Sequence, residues 1–187
     1  MIDAKIEEAG HQLVLWPDGI TEDQLIEETR DTELILMCYT PITRRVIEAA
    51  KKLKGIVKYG VGIDAIDIPA AAAKGIPVVN IPEYAEETVA EGAFAMLIAL
   101  AKKLPAIQNQ MENNGWAWPE PKWLGSDIAG KTLGIVGFGK IGKSMARMAH
   151  NGFRARVIAF SPHTDDQEME KFGVTKYNSF SKLLSDS

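Results

Sequence analysis

The sequence predicts an α/β protein built on parallel sheets in two successive domains, residues 1–104 and 105–187. Three observations carry this reading. Apolar runs of about five residues or fewer alternate with longer segments of helical spacing. Glycines or prolines punctuate the ends of several helical segments. One run, Leu133-Gly134-Ile135-Val136, empties into Gly137-Phe138-Gly139-Lys140-Ile141-Gly142, and a helix-like segment follows at once. Strand–helix alternation of this kind implies a parallel sheet covered on both faces.

The elements follow in order. A helical stretch, Ala4 to Ala9, precedes the short strand Leu13-Val14-Leu15. Helices are expected over 22–29, 43–52 and 66–74. Between and after them, Leu34 to Cys38, Ile56 to Tyr59 and Val78 to Asn80 read as strands. Thr43 and Asp67 sit where a side-chain oxygen accepts an orphan helix N–H. Gly10, Gly55 and Gly75 follow helical segments. A longer helix is expected over 86–103, with Val89, Ala90, Ala93, Phe94, Leu97 and Ile98 at helical spacing, and Pro105 marks its end. Residues 106–127 read as irregular, with Trp116, Trp118 and Trp123 interleaved with Pro119 and Pro121. Those rings need burial, against a partner subunit or against the chain's own surface. Then come a strand to Val136, a helix over 140–150, a strand from Arg156 to Phe160, a helix over 165–171, a weak strand near Val174 and a last helix from Phe180 to Leu184.

Composition bounds the function. The 187 residues carry a net charge of −4, which argues against a broad nucleic-acid-binding surface. No apolar stretch reaches the roughly 20 residues that cross a bilayer, and the acidic N-terminus is unlike a signal peptide. A single cysteine, Cys38, cannot make an intrachain disulfide; its apolar run predicts a buried thiol. A reducing, cytoplasmic setting is expected. No metal-ligand cluster is recognised.

The glycine motif carries the chemistry. Gly137 permits the turn off the strand, Gly139 leaves room for phosphate oxygens against the backbone, and Gly142 lets the helix pack closely on the strand. The helix N-terminus then presents free N–H groups and the positive end of a helix dipole to the anion, and Lys140 and Ile141 in its first turn are expected to face the cofactor. The expected cofactor is NAD or NADP. Specificity is read after the second strand, where NAD enzymes carry an acidic residue for the ribose 2′-hydroxyl. Ser161 stands there instead. A hydroxyl does not repel a 2′-phosphate, and His163 adds partial positive charge or is simply a solvated turn residue. This tilts the reading toward NADP, while Asp165 and Asp166 oppose it.

Tyr59-Gly60-Val61-Gly62-Ile63-Asp64-Ala65-Ile66-Asp67, Lys74-Gly75-Ile76-Pro77-Val78-Val79-Asn80 and Glu87-Thr88-Val89-Ala90-Glu91, with Gly115-Trp116, Leu124-Gly125 and Gly130-Lys131-Thr132-Leu133-Gly134, together resemble the D-isomer-specific 2-hydroxyacid dehydrogenases. The resemblance covers nearly the whole chain. It implies a flavodoxin-like substrate domain followed by an incomplete Rossmann dinucleotide-binding domain. It also implies hydride transfer between a nicotinamide cofactor and a small D-2-hydroxyacid or 2-keto acid. By the same resemblance Gly60, Val61 and Gly62 hold the substrate carboxylate; read alone, they form a strand-ending turn that aims N–H groups at an anion. Thr88 lies near the cofactor's phosphate or nicotinamide end, and residues 86–125 form a homodimer contact. The family's catalytic Arg, Glu and His would follow Ser187. His11, His150 and His163 do not fit those roles, so no catalytic residue is assigned, and the chain is expected to be an inactive fragment. The alternative is a non-catalytic, dinucleotide-responsive binding protein, as in the family's C-terminal-binding-protein corepressors.

Overall fold

A computed structural model describes every residue except Met1, Asp18 and Ala117, and all side chains of the rest except that of Ile2. The chain divides into two compact units, Met1–Tyr84 and Ala85–Ser187. The long helix expected over 86–103 therefore groups with the second unit, whereas the sequence reading put it before a boundary at 104.

The first unit runs α1 (Ile2–Glu8), α2 (Glu22–Glu28), β1 (Leu34–Met37), α3 (Arg44–Ala49), β2 (Gly55–Lys58), α4 (Ile68–Ala73) and β3 (Val78–Val79). Its sheet is wholly parallel in the order β1-β2-β3, with Leu36 opposite Val57 and Val57 opposite Val79. Thr21, Thr43 and Asp67 cap α2, α3 and α4 through their side chains, and Thr21 and Gln24 close a full capping box. Ile35 and Met37 from β1 and Ile56 from β2 meet Val46 and Ile47 of α3 in the core.

Two expectations fail here. Leu13–Leu15 is not a strand. A strand exists only through its ladder, and this run pairs with no strand among the described residues; Val14 and Leu15 are exposed. Cys38 is exposed, not buried. β1 alternates, so Ile35 and Met37 point into the core while Leu34 and Leu36 point out, and Cys38 follows them on the outward parity just past the strand's end.

The second unit runs α5 (Glu86–Ala101), α6 (Leu104–Asn114), a 3-10 turn (Pro121–Trp123), β4 (Thr132–Val136), α7 (Lys140–Arg147), a π turn (Met148–Gly152), β5 (Arg156–Phe160), α8 (Asp166–Glu170), β6 (Val174–Lys176) and α9 (Phe180–Asp186). Its sheet is parallel in the order β4-β5-β6, with Val136 opposite Phe160 and Ala159 opposite Lys176. Val157, Ala159, Ala146, Met169 and Phe94 form its core. Phe94 of α5 also packs on Phe153, with ring centroids 4.7 Å apart.

The irregular stretch expected over 106–127 begins instead as α6. Pro105 sits in that helix's first turn, where its missing N–H costs nothing and its fixed φ suits the helix. The break from α5 falls at Lys103, in the left-handed region at φ 56°. Beyond α6, Trp116 and Trp118 are exposed while Trp123 is half-buried, with the Lys122 ammonium 5.0 Å above its ring.

Candidate functional site

In the second unit the site is the junction of β4 and α7. The Gly137 N–H donates to the Phe160 carbonyl at 2.8 Å, which holds the loop's start on β5. Gly137 itself lies at φ 92°, a conformation that favours glycine. Phe138 then turns inward: it is 2% exposed and meets Phe172 edge-on at 5.6 Å. With Phe138 anchored, Gly139 stands at the surface as the N-cap of α7. A Cβ on Gly139 would meet nothing within 4 Å, whereas one on Gly142 would lie 2.3 Å from the Gly137 carbonyl oxygen. The two glycines therefore do different work: Gly139 leaves space outside the loop, and Gly142 lets helix and loop touch. Among the described residues, the N–H groups of Phe138, Gly139 and Ile141 make no hydrogen bond to the chain. Gly139 and Ile141 are exposed, and exposed, unbonded amides at a helix N-terminus are a ready-made anion site.

Three charged contacts tie α7 to the first turn of α5. Glu87 accepts from Ser144 at 2.7 Å and from Arg147, and the Lys140 ammonium lies 3.9 Å from Glu86. Residues 140, 144 and 147 lie on one face of α7, so that face runs along the first turn of α5 over the helix's whole length. Sequence reasoning missed this brace; its only trace is the pair Glu86-Glu87 opening one helix and Lys-x-x-x-Ser-x-x-Arg opening another. Thr88 is exposed, within the first turn of α5.

At the far end of β5, Ser161 is 8% exposed, and its hydroxyl lies 3.0 Å from that of Thr164. His163 is exposed between them on the turn. Asp165 caps α8 by accepting from the Glu168 N–H at 2.7 Å, which fixes its carboxylate on the helix.

In the first unit, the turn after β2 holds Gly60, Val61 and Gly62. The Gly60 N–H donates back to the Lys58 carbonyl at 3.0 Å, and its own carbonyl accepts from Ile81. Asn80 fixes the next peptide by donating to the Val61 carbonyl at 2.7 Å. The N–H groups of Val61 and Gly62, both exposed, take no partner among the described residues. Two of the three expected amides are thus open to an anion and the third is committed to the turn. The turn sits at the carboxyl end of the middle strand, where open α/β sheets receive ligands.

Residues 2–180 match the family profile "D-isomer specific 2-hydroxyacid dehydrogenase, catalytic domain". A glyoxylate reductase of Korarchaeum cryptofilum is 37% identical over 189 residues, covering 98% of this chain and 56% of its own. Among solved structures, a D-lactate dehydrogenase from Aquifex aeolicus complexed with NAD and lactic acid superposes with a TM-score of 0.81 at 27% identity, over 98% of this chain and 55% of that one. An acyclic imino acid reductase in complex with NADPH and D-Arg gives a TM-score of 0.82 at 27% identity, over 100% of this chain and 58% of its own. The chain spans about 28% to 57% of the length of these curated relatives.

Proposed function

The chain belongs to the D-isomer specific 2-hydroxyacid dehydrogenase family, and on that premise we propose that it is the part of an NAD(P)-dependent oxidoreductase that receives the cofactor's diphosphate and the substrate's carboxylate. The observation that carries this is the open row of N–H groups around Gly139, facing space that a side chain would fill. A dinucleotide fits that cradle: its diphosphate is anionic, and the loop offers unbonded amides, a helix N-terminus and Lys140. When bound, the nicotinamide would supply the hydride acceptor or donor. Phe138 and Gly142 hold the loop in shape, and Thr88 and Ile141 complete the cofactor-facing set with Gly137.

The Val61 and Gly62 amides are the proposed seat of the acid's carboxylate, with Gly60 shaping the turn. The substrate is a small D-2-hydroxyacid or its 2-keto acid. The proton-transferring and carbonyl-polarising side chains of the reaction are not assigned to any residue of this chain, and none of its histidines is given that part. A cytoplasmic setting suits a reduced nicotinamide pool.

Ser161 and His163 form the proposed ribose end. No carboxylate occupies position 161, so a 2′-phosphate meets a hydroxyl pair there, and NADP is favoured. Calorimetric titration of the chain with NADH and NADPH is expected to give one saturable site with NADPH at least as tight. Ser161→Asp should reverse the order by roughly tenfold, the worth of about 1.4 kcal/mol. Tighter NADH binding by the unaltered chain would refute the preference, and no binding of either would refute the cofactor site.

A homodimer through residues 86–125 is also proposed, supported by the exposed Met96, Leu100, Leu104, Trp116, Trp118 and Leu124. Large apolar surface of this kind marks an interface. Sedimentation velocity should show a dimer that Trp118→Asp converts to monomer; a monomer at all concentrations would end the proposal.

A further inference from the structure

The first unit carries a cavity of about 220 Å³ that the two sites above do not use, lined by Trp16, Pro17, Gly19, Ile20, Gln24 and Glu28. Ordinary ligand pockets hold roughly 300–1,000 Å³, so what fits here is small. α2 forms one wall: Gln24 and Glu28 stand four residues apart, on one helix face. The capping box fixes that wall. The Gln24 Oε1 accepts from both the N–H and the hydroxyl of Thr21 at 3.0 Å, and Leu25 beside it is anchored in the core. Trp16, Pro17 and Gly19 form the other wall, with Gly19 at φ 85°, a conformation that favours glycine.

The charge around this cavity is one-sided. Other acids on and after α2 have cations of their own: Glu22 and Asp23 pair with Arg45, Glu27 with Arg30, Asp31 with Lys52 and Glu33 with Lys54. Among the described residues no cation pairs with Glu28. Its carboxylate also stands in the last turn of α2, which holds no basic residue and where the helix dipole disfavours negative charge. Among the described residues lining the cavity, none is a lysine, an arginine or a histidine. An anion would meet only repulsion there, and a neutral compound would leave Glu28 uncompensated. A cation gains from the Glu28 carboxylate and from the negative end of the helix. It gains again from the Trp16 indole, which is 44% exposed and belongs to the side-chain type that attracts cations best.

We propose that this cavity is a binding site for a small organic cation, a free guanidinium or alkylammonium compound, with Glu28 as its ion-pair partner and Trp16 as its cation–π surface. A guanidinium suits both contacts, because it meets a carboxylate with two parallel N–H donors and stacks on an aromatic face. The site stands independently of the cofactor and carboxylate readings, since it shares no residue with either.

The test titrates the 187-residue chain with agmatine and n-butylammonium, and with n-butylurea as a neutral probe of similar size. Binding is followed by the NMR resonances of the Trp16 indole N–H and the Glu28 backbone amide. At least one cation should shift both saturably and bind roughly tenfold tighter than butylurea. Glu28→Gln should weaken that cation roughly fivefold or more. Glu27→Gln removes a neighbouring acid that already pairs with Arg30, and should change the affinity less than twofold. Trp16→Leu should weaken binding too, as read at the Glu28 amide. Circular dichroism establishes that each variant folds; should Trp16→Leu fail to fold, the Glu28 and Glu27 variants decide alone. The proposal is overturned if neither cation gives a saturable shift at about 10 mM. Equal affinity for butylurea, or equal losses in Glu28→Gln and Glu27→Gln, overturns it as well. Tighter binding of an end-blocked arginyl peptide than of agmatine would assign the cavity to a partner protein's side chain and overturn the free-compound reading. Each of these outcomes leaves the Gly139 loop and the Val61–Gly62 turn as they stand.

Discussion

Gly142→Ala is expected to destabilise the second unit by about 3 kcal/mol, the upper range for forcing an extra carbon into a packed site. The added Cβ would stand 2.3 Å from the Gly137 carbonyl oxygen and 3.2 Å from its carbonyl carbon. Both are backbone atoms, so no side chain can rotate away. The loop cannot yield easily either: the Gly137 N–H is bonded to the Phe160 carbonyl, and Phe138 is locked in the core. Strain therefore passes to β4 and α7 together. For a unit of this size each kcal/mol moves the midpoint by several degrees, so a fall of roughly 10–20 °C follows. Thermal unfolding followed by circular dichroism checks it, and a midpoint within about 2 °C of the original would show that helix and loop do not touch as described.

How much of this was legible beforehand differs by element. The glycine motif was, because each glycine answers a backbone demand that no tertiary partner alters. The caps Thr43 and Asp67 were legible for the same reason: the hydrogen bond is local. The strand expected at Leu13–Leu15 was not, since a strand is a relation between two segments and periodicity sees only one. Pro105 was misread because proline both follows helices and opens them; only the left-handed Lys103 decides which. Cys38 was misjudged by one step of the strand's alternation, which composition alone does not phase. In the site, the open amides of Val61 and Gly62 could be anticipated from their glycine-flanked turn. The commitment of the Gly60 N–H to Lys58 could not, nor the brace of Glu87 on Ser144 and Arg147, because these depend on which groups the fold brings within 3 Å.

Gly139→Val separates folding from binding in the same loop. The position is extended, at φ −75° and ψ −165°, which any L-residue adopts, and nothing lies within 4 Å of the new Cβ. The N-cap role survives in part, because Gly139 caps α7 through its backbone carbonyl, which accepts from the Lys143 N–H at 2.9 Å, and not through a side chain. Stability should stay within about 1 kcal/mol, the scale of an N-cap exchange away from the core. Dinucleotide binding should not survive. The isopropyl group fills the space in front of the Gly139 and Ile141 amides, so a diphosphate loses close approach to at least two donors. Hydrogen bonds to a charged group contribute about 1.5–3 kcal/mol each, and losing roughly 3 kcal/mol in all weakens binding at least 100-fold. Titration with NADH beside thermal unfolding of the same sample gives both readings. Unaltered affinity in a folded Gly139→Val chain would mean that the diphosphate is held elsewhere, and the assignment of Lys140 and Ile141 would go with it. Set against Gly142→Ala, which strains the loop from within, the pair distinguishes a glycine kept for packing from one kept for a ligand.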